Sequence, residues 1–316
     1  MQIFHKLEEI PADFGPSLVS VGNFDGVHRA HLRVLEEIVA RARERRAKSV
    51  AVTFEPHPMR ILRPEAPLKL LTPASRRLRR LEQTGLDATM VIPFTRELSR
   101  MSPAEFVERI LSGKLQTLEA HEGYNFRFGH KAAGDVNLLT QLGARLGFAV
   151  VVYPEMRVRG LSVSSSCIRE RIQSGDVRQA RYLLGRTFSI QSLAGRGRGY
   201  GSRYTVPTVN LGPYEELVPR DGVYITRTRV AHECFDSVTN VGNRPTFGSD
   251  SFAIESHLLD FHPLEITAET EIEIYFLARI RDEVKFSSVE KLREQILKDV
   301  ARAQRYFELM ACAKAG

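Results

Sequence analysis

The chain has 316 residues, 43% hydrophobic and 26% charged, with a net charge of +7, which suits one large or two ordinary globular domains and excludes a disordered chain. No apolar run approaches the roughly 18 residues of a membrane span, and "MQIFHKLEEI" lacks the basic and apolar regions of an export signal. Cys167, Cys234 and Cys312 are too far apart for a zinc pattern or a disulfide framework, so a reduced, cytoplasmic setting is expected.

The first half alternates strand and helix. "SLVSVG" from Ser17 reads as a buried strand, and Leu35, Ile38, Val39 and Ala42 then recur at helical spacing, so residues 27–46 are expected to be a helix. "KSVAVTF" (Lys48 to Phe54) is the next strand, halted by the prolines of "EPHP". A helix around Ser75–Thr84 leads to a strand in "ATMVIPF" (Ala88 to Phe94). "SPAEFVERIL" opens with Ser102 at the N-cap, Pro103 in the first turn and Glu105 three after the cap, a capping box. "GDVNLLTQLGARLG" and "FAVVVYP" add another helix and strand. Repeated βα units imply a mainly parallel, Rossmann-like sheet covered on both faces. The basic runs Ala40–Lys48 and Ser75–Glu82 fall inside these helical patterns without interleaved aromatics. They read as solvated helix faces, and no nucleic-acid partner is expected.

After Arg186 strands follow one another directly: "GVYITRTRV" (Gly222 to Val230), "AIESHLLDF" (Ala253 to Phe261) and "TEIEIYFLARIR" (Thr270 to Arg281). In the last, Ile272, Ile274 and Phe276 alternate with Glu271, Glu273 and Tyr275, the period of a strand with one wet face. Such a run implies a small antiparallel barrel, closed by one helix over Ser288–Met310. The expected domains are residues 1–185 and 186–316.

The chemistry-bearing cluster of the first half is "VGNFDGVHRAH". A strand ends at Gly22, Gly22 and Gly26 permit close approach, and His28 and His31 are one helical turn apart. At the C-terminal edge of a parallel sheet, imidazoles beside a helix N-terminus suit phosphoryl charge. By itself the stretch also fits a strand–turn–helix with surface histidines, or a His-x-x-His metal pair. "VSSSCIRER" places Ser164, Ser165 and Ser166 ahead of a short helix carrying Arg169. Those groups are either caps or a grip for a triphosphate.

Taken together, "GNFDGVHRAH" and "SSSCIRE" resemble the nucleotidyltransferases with a His-x-Gly-His signature. With "VTFEPHP" and "GYNFRFGHKAAGD", the first half is similar to the adenylyltransferase module of bacterial bifunctional riboflavin kinase/FAD synthetases. The resemblance implies transfer of AMP from ATP to FMN, giving FAD and pyrophosphate. It places Gly22, Phe24, His28 and His31 at the nucleotide, aided by Mg²⁺. Ser164, Ser165, Ser166 and Arg169 would hold the β,γ end, and Asn125 would position the reacting phosphates. Two positions depart from the pattern: Ala30 stands where the signature has Gly, and Asn125 where many members have Asp.

"GRGRGYGSRYTVPTVNL" carries Gly195, Gly197, Gly199 and Gly201 before Pro-Thr-x-Asn. Spaced glycines leave backbone N–H groups open to phosphate oxygens, although a glycine-rich run is also compatible with a simple loop. The whole segment is similar to the riboflavin kinase loop, where Thr208 and Asn210 would hold Mg²⁺ and ATP phosphates. Thr205 departs from the family's frequent Gly. "NVGNRPTFG" resembles the flavin-side loop, giving Asn243, Arg244, Pro245 and Thr246 a flavin role, and Glu255 in "IESHLLDF" would be the general base. The resemblance thus implies two ATP-dependent sites using riboflavin and FMN. Ala30, Asn125 and Thr205 motivate one rival, a chain with one decayed site; a rival of another class is a flavin- or nucleotide-binding regulator without turnover.

Overall fold

A computed structural model of the chain describes residues 1–66, 68–195, 208–243, 252–262 and 264–315, with only the backbone for 243, 314 and 315. It divides into two compact units, Met1–Ser165 and Ser166–Gly316.

The first unit runs β1 (Gln2–Phe4), β2 (Ser17–Val21), α1 (Arg29–Arg45), β3 (Lys48–Glu55), α2 (Pro58–Leu62), α3 (Ala74–Glu82), β4 (Ala88–Pro93), α4 (Pro103–Phe106), β5 (Thr117–Gly123), α5 (Val136–Leu146) and β6 (Ala149–Tyr153). A short antiparallel hairpin follows, β7 (Arg157–Val158) and β8 (Leu161–Ser162). Strands pair in the order β1-β4-β3-β2-β5-β6, all parallel. All five residues of β2 are buried, as befits a central strand covered on both sides. On one face Leu18 and Ala51 pack with Leu35 and Ile38 of α1 and Leu81 of α3. On the other, Val19, Val52 and Met90 pack with Phe106, Ile110 and Leu139. The Ser102–Glu105 capping box forms in both directions, and the helix it starts continues past Phe106 as a π-helical stretch, Val107–Lys114.

Two expectations need correction. The helix expected from residue 27 begins at Arg29, because Phe24 and Val27 take positive φ in the turn and His28 serves as its N-cap. The arginine runs are not simply solvated: Arg77 is 1% exposed, and Arg41 and Arg45 both pair with the buried Glu119. A carboxylate inside a sheet needs such partners.

The second unit opens with α6 (Ser165–Gln173), whose first residue still belongs to the first unit, and α7 (Val177–Leu184). Then come β9 (Phe188–Leu193), β10 (Thr208–Asn210), β11 (Gly222–Val230), β12 (Glu233–Asn243), β13 (Phe252–Leu258), β14 (Glu271–Arg281) and α8 (Val289–Ala315). By compactness these two helices go with the second unit, and α7 packs on β9 and β14. The sheet order is β10-β13-β12-β11-β14-β9, antiparallel throughout. Its two edges meet: Gly195 N donates to Asn210 O at 2.8 Å and Gly212 N to Leu193 O at 2.8 Å, closing the barrel. A Cβ on Gly195 would lie 2.8 Å from Leu211 O, so this junction requires glycine.

Outside, Val223, Ile225 and Leu277 pack against Ala303 and Phe307 of α8. Glu273, expected on a wet face, is 4% exposed. It accepts hydrogen bonds from Ser189, Arg229 and Tyr275, which fill the place of water. Inside, Thr226, Thr228, Ser237, Thr239 and Ser256 are each 0% exposed. Their hydroxyls form a closed five-membered ring with contacts of 2.5–2.9 Å. Each can donate once and accept once, so no buried hydroxyl in the ring is left unmet.

Candidate active sites

The strand order of the first sheet reverses between β2 and β5: β2 leads through α1 to β3 on one side, and β5 leads through α5 to β6 on the other. Such a switch point opens a crevice at the C-terminal strand edge. The segment Gly22–His28 leaves β2 there. Phe24 is 2% exposed with φ of 48°, and its ring lies over Gly22, where a Cβ would come within 3.3 Å. That contact explains the glycine. Phe24 also meets His31 edge-on, with ring centres 5.2 Å apart. His28 and His31 stack with centres 3.6 Å apart and planes 15° apart. His28 Nδ1 accepts the His31 amide at 3.4 Å, so in the neutral ring the proton sits on Nε2, a donor directed away from the cap.

Residues with no expected role hold this loop. Asp25, 2% exposed, accepts the amides of Leu71 and Thr72. Ser165 Oγ donates to Asp25 O at 2.8 Å, drawing the start of α6 to the loop. Arg77 donates to the carbonyls of Asn23 and Phe54 and to Glu55 Oε2 at 2.8 Å. The only sequence signal for Asp25 was its place between two glycines; Arg77 was hidden among neighbouring arginines. Ser164 precedes α6, while Ser166 and Arg169 continue it in the second unit. Asn125 is exposed just after β5, its Oδ1 close to Gly123. His57 caps α2 by accepting the Met59 amide at 3.2 Å.

In the second unit, Asn210 on β10 lies opposite Glu255 on β13, and Asn240 on β12 lies opposite the same glutamate. Thr208 lies opposite His257. Side chains directly across an antiparallel ladder share a face, so Thr208, Asn210, Asn240, Glu255 and His257 form one polar surface. Ser256, of opposite parity, points into the hydroxyl ring. Asn240 is also within 3.5 Å of Glu283. Gly195 sits at the barrel closure. Gly197, Gly199, Gly201, Thr205, Arg244, Pro245 and Thr246 lie outside the described residues, and only the backbone of Asn243, ending β12, is described.

The first unit has the nucleotidyltransferase type of fold, and the second is a small antiparallel barrel with a C-terminal helix. A family model for FAD synthetase matches residues 10–167, and one for riboflavin kinase matches residues 184–307. The chain is 33% identical to the bifunctional riboflavin kinase/FMN adenylyltransferase of Pseudomonas fluorescens, over 96% of this chain and 97% of that one. It is 32% identical to the protein of the same description from Bacillus subtilis (strain 168), over 97% and 98%. Among solved structures, one titled a macrolide-efflux protein from Streptococcus pneumoniae superposes with a TM-score of 0.85 over 96% of this chain and 98% of its own. At 24% identity that likeness speaks for the fold alone. The chain belongs to the bifunctional riboflavin kinase/FMN adenylyltransferase family.

Proposed function

We propose that the two activities of this bifunctional enzyme occupy two separate sites, the β2–β5 crevice for adenylyl transfer and the Thr208–Glu255 surface for phosphorylation. The observation that carries the reading is the segregation of the two polar constellations: stacked His28 and His31 at a strand-order reversal in one unit, and Asn210 facing Glu255 across a ladder in the other.

In the crevice, an FMN phosphate oxygen attacks the α-phosphorus of ATP and pyrophosphate leaves. No covalent enzyme intermediate is needed, so catalysis consists of alignment and charge stabilisation. The Nε2 side of His28, with His31 beside it, would meet charge on the α-phosphoryl and leaving oxygens. Gly22, Phe24, Ser164, Ser165, Ser166 and Arg169 would receive the remaining phosphates, and Asn125 would orient them. On the barrel, the ribityl 5′-hydroxyl of riboflavin attacks the γ-phosphorus of ATP, Glu255 takes the hydroxyl proton and ADP leaves. Asn243, Arg244, Pro245 and Thr246 would contact the flavin, and Gly195, Gly197, Gly199 and Gly201 the phosphates.

Thr208 and Asn210 offer hydroxyl and amide oxygens two residues apart on one strand, a hard donor set suited to Mg²⁺. Among the described residues no group of three or more His, Cys, Asp or Glu could hold a metal. When bound, Mg²⁺ supplies neutralisation of the phosphate charge. No helix among the described residues is long and apolar enough to cross a membrane, and a cytoplasmic location without a nucleic-acid partner belongs to the same reading. Chromatography of riboflavin, ATP and Mg²⁺ incubated with the purified protein tests it: FMN should appear first and FAD after it. FMN alone points to a single remaining activity, and no product to a binding protein.

A further inference from the structure

The fork between β2 and β5 contains a group that the reaction above does not use. The β2–β5 ladder stops at Val19 and Ala120, while β2 keeps pairing with β3 as far as Val21 and Val52. Backbone amides alternate sides along a strand. Ser17 N donates towards β5, to Gln116 O, and Gly22 N towards β3, to Val52 O. Val21 N therefore faces the β5 side, beyond the point where that ladder has ended. Glu122 fills the gap: its Oε1 accepts Val21 N at 2.6 Å.

Glu122 is 3% exposed. By strand alternation it shares a sheet face with Ala120, one of the apolar core residues there with Val19 and Val21. It forms no ion pair among the described residues, and burial raises its carboxyl well above the ordinary carboxylate range. An unpaired acid in such surroundings is costly. A valine would suit the apolar face better and would leave the strand-end amide unmet. Meanwhile Gly22, the next residue after that amide, begins the loop that carries His28 and His31. Gly123, the next residue after Glu122, begins the turn that carries Asn125.

We propose that Glu122 is a positioning residue for adenylyl transfer, a carboxyl wedge that bridges the diverging ends of β2 and β5 and fixes the spacing of the Gly22–His28 loop and the Asn125 turn across the crevice. The inference rests on the reading of that crevice as the adenylyltransferase site. A group that only stabilised the sheet would leave the kinetics of the folded enzyme alone. A wedge that sets the crevice width changes nucleotide binding.

The test uses the full-length protein, with KM for ATP and kcat measured for FMN-to-FAD conversion and riboflavin phosphorylation followed in the same preparations. Removing one buried partner costs enough that Glu122→Val should raise KM for ATP about tenfold, with kcat changed less and the kinase unaltered. Glu122→Gln keeps an acceptor for Val21 N and should recover most of the loss, to within about threefold of wild type. If the valine variant fails to fold, Glu122→Leu, closer in side-chain length, replaces it. An unchanged KM in the folded apolar variant, or a glutamine variant as impaired as the apolar one, overturns the proposal. His28→Ala separates the two levels: if that variant makes FAD normally, the crevice is not the site. If it loses FAD synthesis while the folded apolar Glu122 variant keeps the wild-type KM for ATP, only the wedge is wrong.

Discussion

His28 has a structural task and, in the proposed site, a chemical one in the same ring. Its Nδ1 caps α1 through the His31 amide, and its face lies flat on the His31 ring. Capping removes rotational freedom, so Nε2 is held in place, which is the pre-organisation that the proposed electrostatic site requires. Replacing both histidines by alanine should lower FMN adenylylation by about two orders of magnitude or more. Riboflavin phosphorylation should persist, since no residue of that constellation comes from the first unit. FAD formation from supplied FMN checks the first statement, and FMN formation from riboflavin the second. Asp25 and Arg77 act one step further back: they hold backbone atoms of the loop and of the segment beside it, which explains why each is buried although charged.

Among the elements, the barrel strands β11, β12 and β13 carry the most unusual interior. Five hydroxyls arranged in a ring fix register, because a one-residue slip of any of these strands would turn its hydroxyls to the other face. Thr228→Val keeps the shape but removes a donor and an acceptor, leaving Ser237 and Ser256 each short of a partner. It should destabilise the barrel by about 1–3 kcal/mol, read from denaturant unfolding. On the other face of β13, burial pushes His257 down to about 4. The fold therefore excludes a proton that the unfolded chain accepts near its ordinary value of about 6.5. The contribution is intact above that value and is lost as pH falls from about 6.5 towards 4, so the unfolding temperature should drop from pH 7 to pH 5. His257→Gln should flatten that slope. In the first unit, Arg41 above all holds the Glu119 carboxyl below its ordinary range. That stability is present above the ordinary carboxylate value and disappears as pH falls through the lowered one.

At the scale of the whole molecule, one polypeptide carries two ATP-dependent reactions, and the His28–His31 pair and the Asn210–Glu255 pair lie in different units. The expected consequence is independence: Glu255→Ala should abolish FMN formation and leave FMN-to-FAD conversion largely intact. The measurement is product analysis with riboflavin and with FMN as separate starting substrates. Loss of both conversions in a folded variant would contradict separate sites. In sequence, FMN made by the second unit is the substrate of the first, so the double-histidine variant supplied with riboflavin should accumulate FMN.

The sequence by itself determined the βα alternation, the later run of strands, the capping box at Ser102 and the resemblance that assigns both halves, because hydrophobic period and local motifs need only neighbouring residues. It also marked His28, His31, Thr208, Asn210 and Glu255, whose motifs lie within short segments. It did not mark β5. "TLEAHEG" is too charged to read as an inner strand, yet Glu119 finds Arg41 and Arg45, His121 finds Tyr153 and Glu119, and Glu122 finds Val21 N. Apart from Glu119 beside His121, those partners are distant in the chain, and only packing could make a buried strand of such residues. The same is true of Arg77, of the hydroxyl ring and of the Asn210–Glu255 register. Each depends on long-range pairing that local propensity does not encode, and the tertiary structure alone decided it.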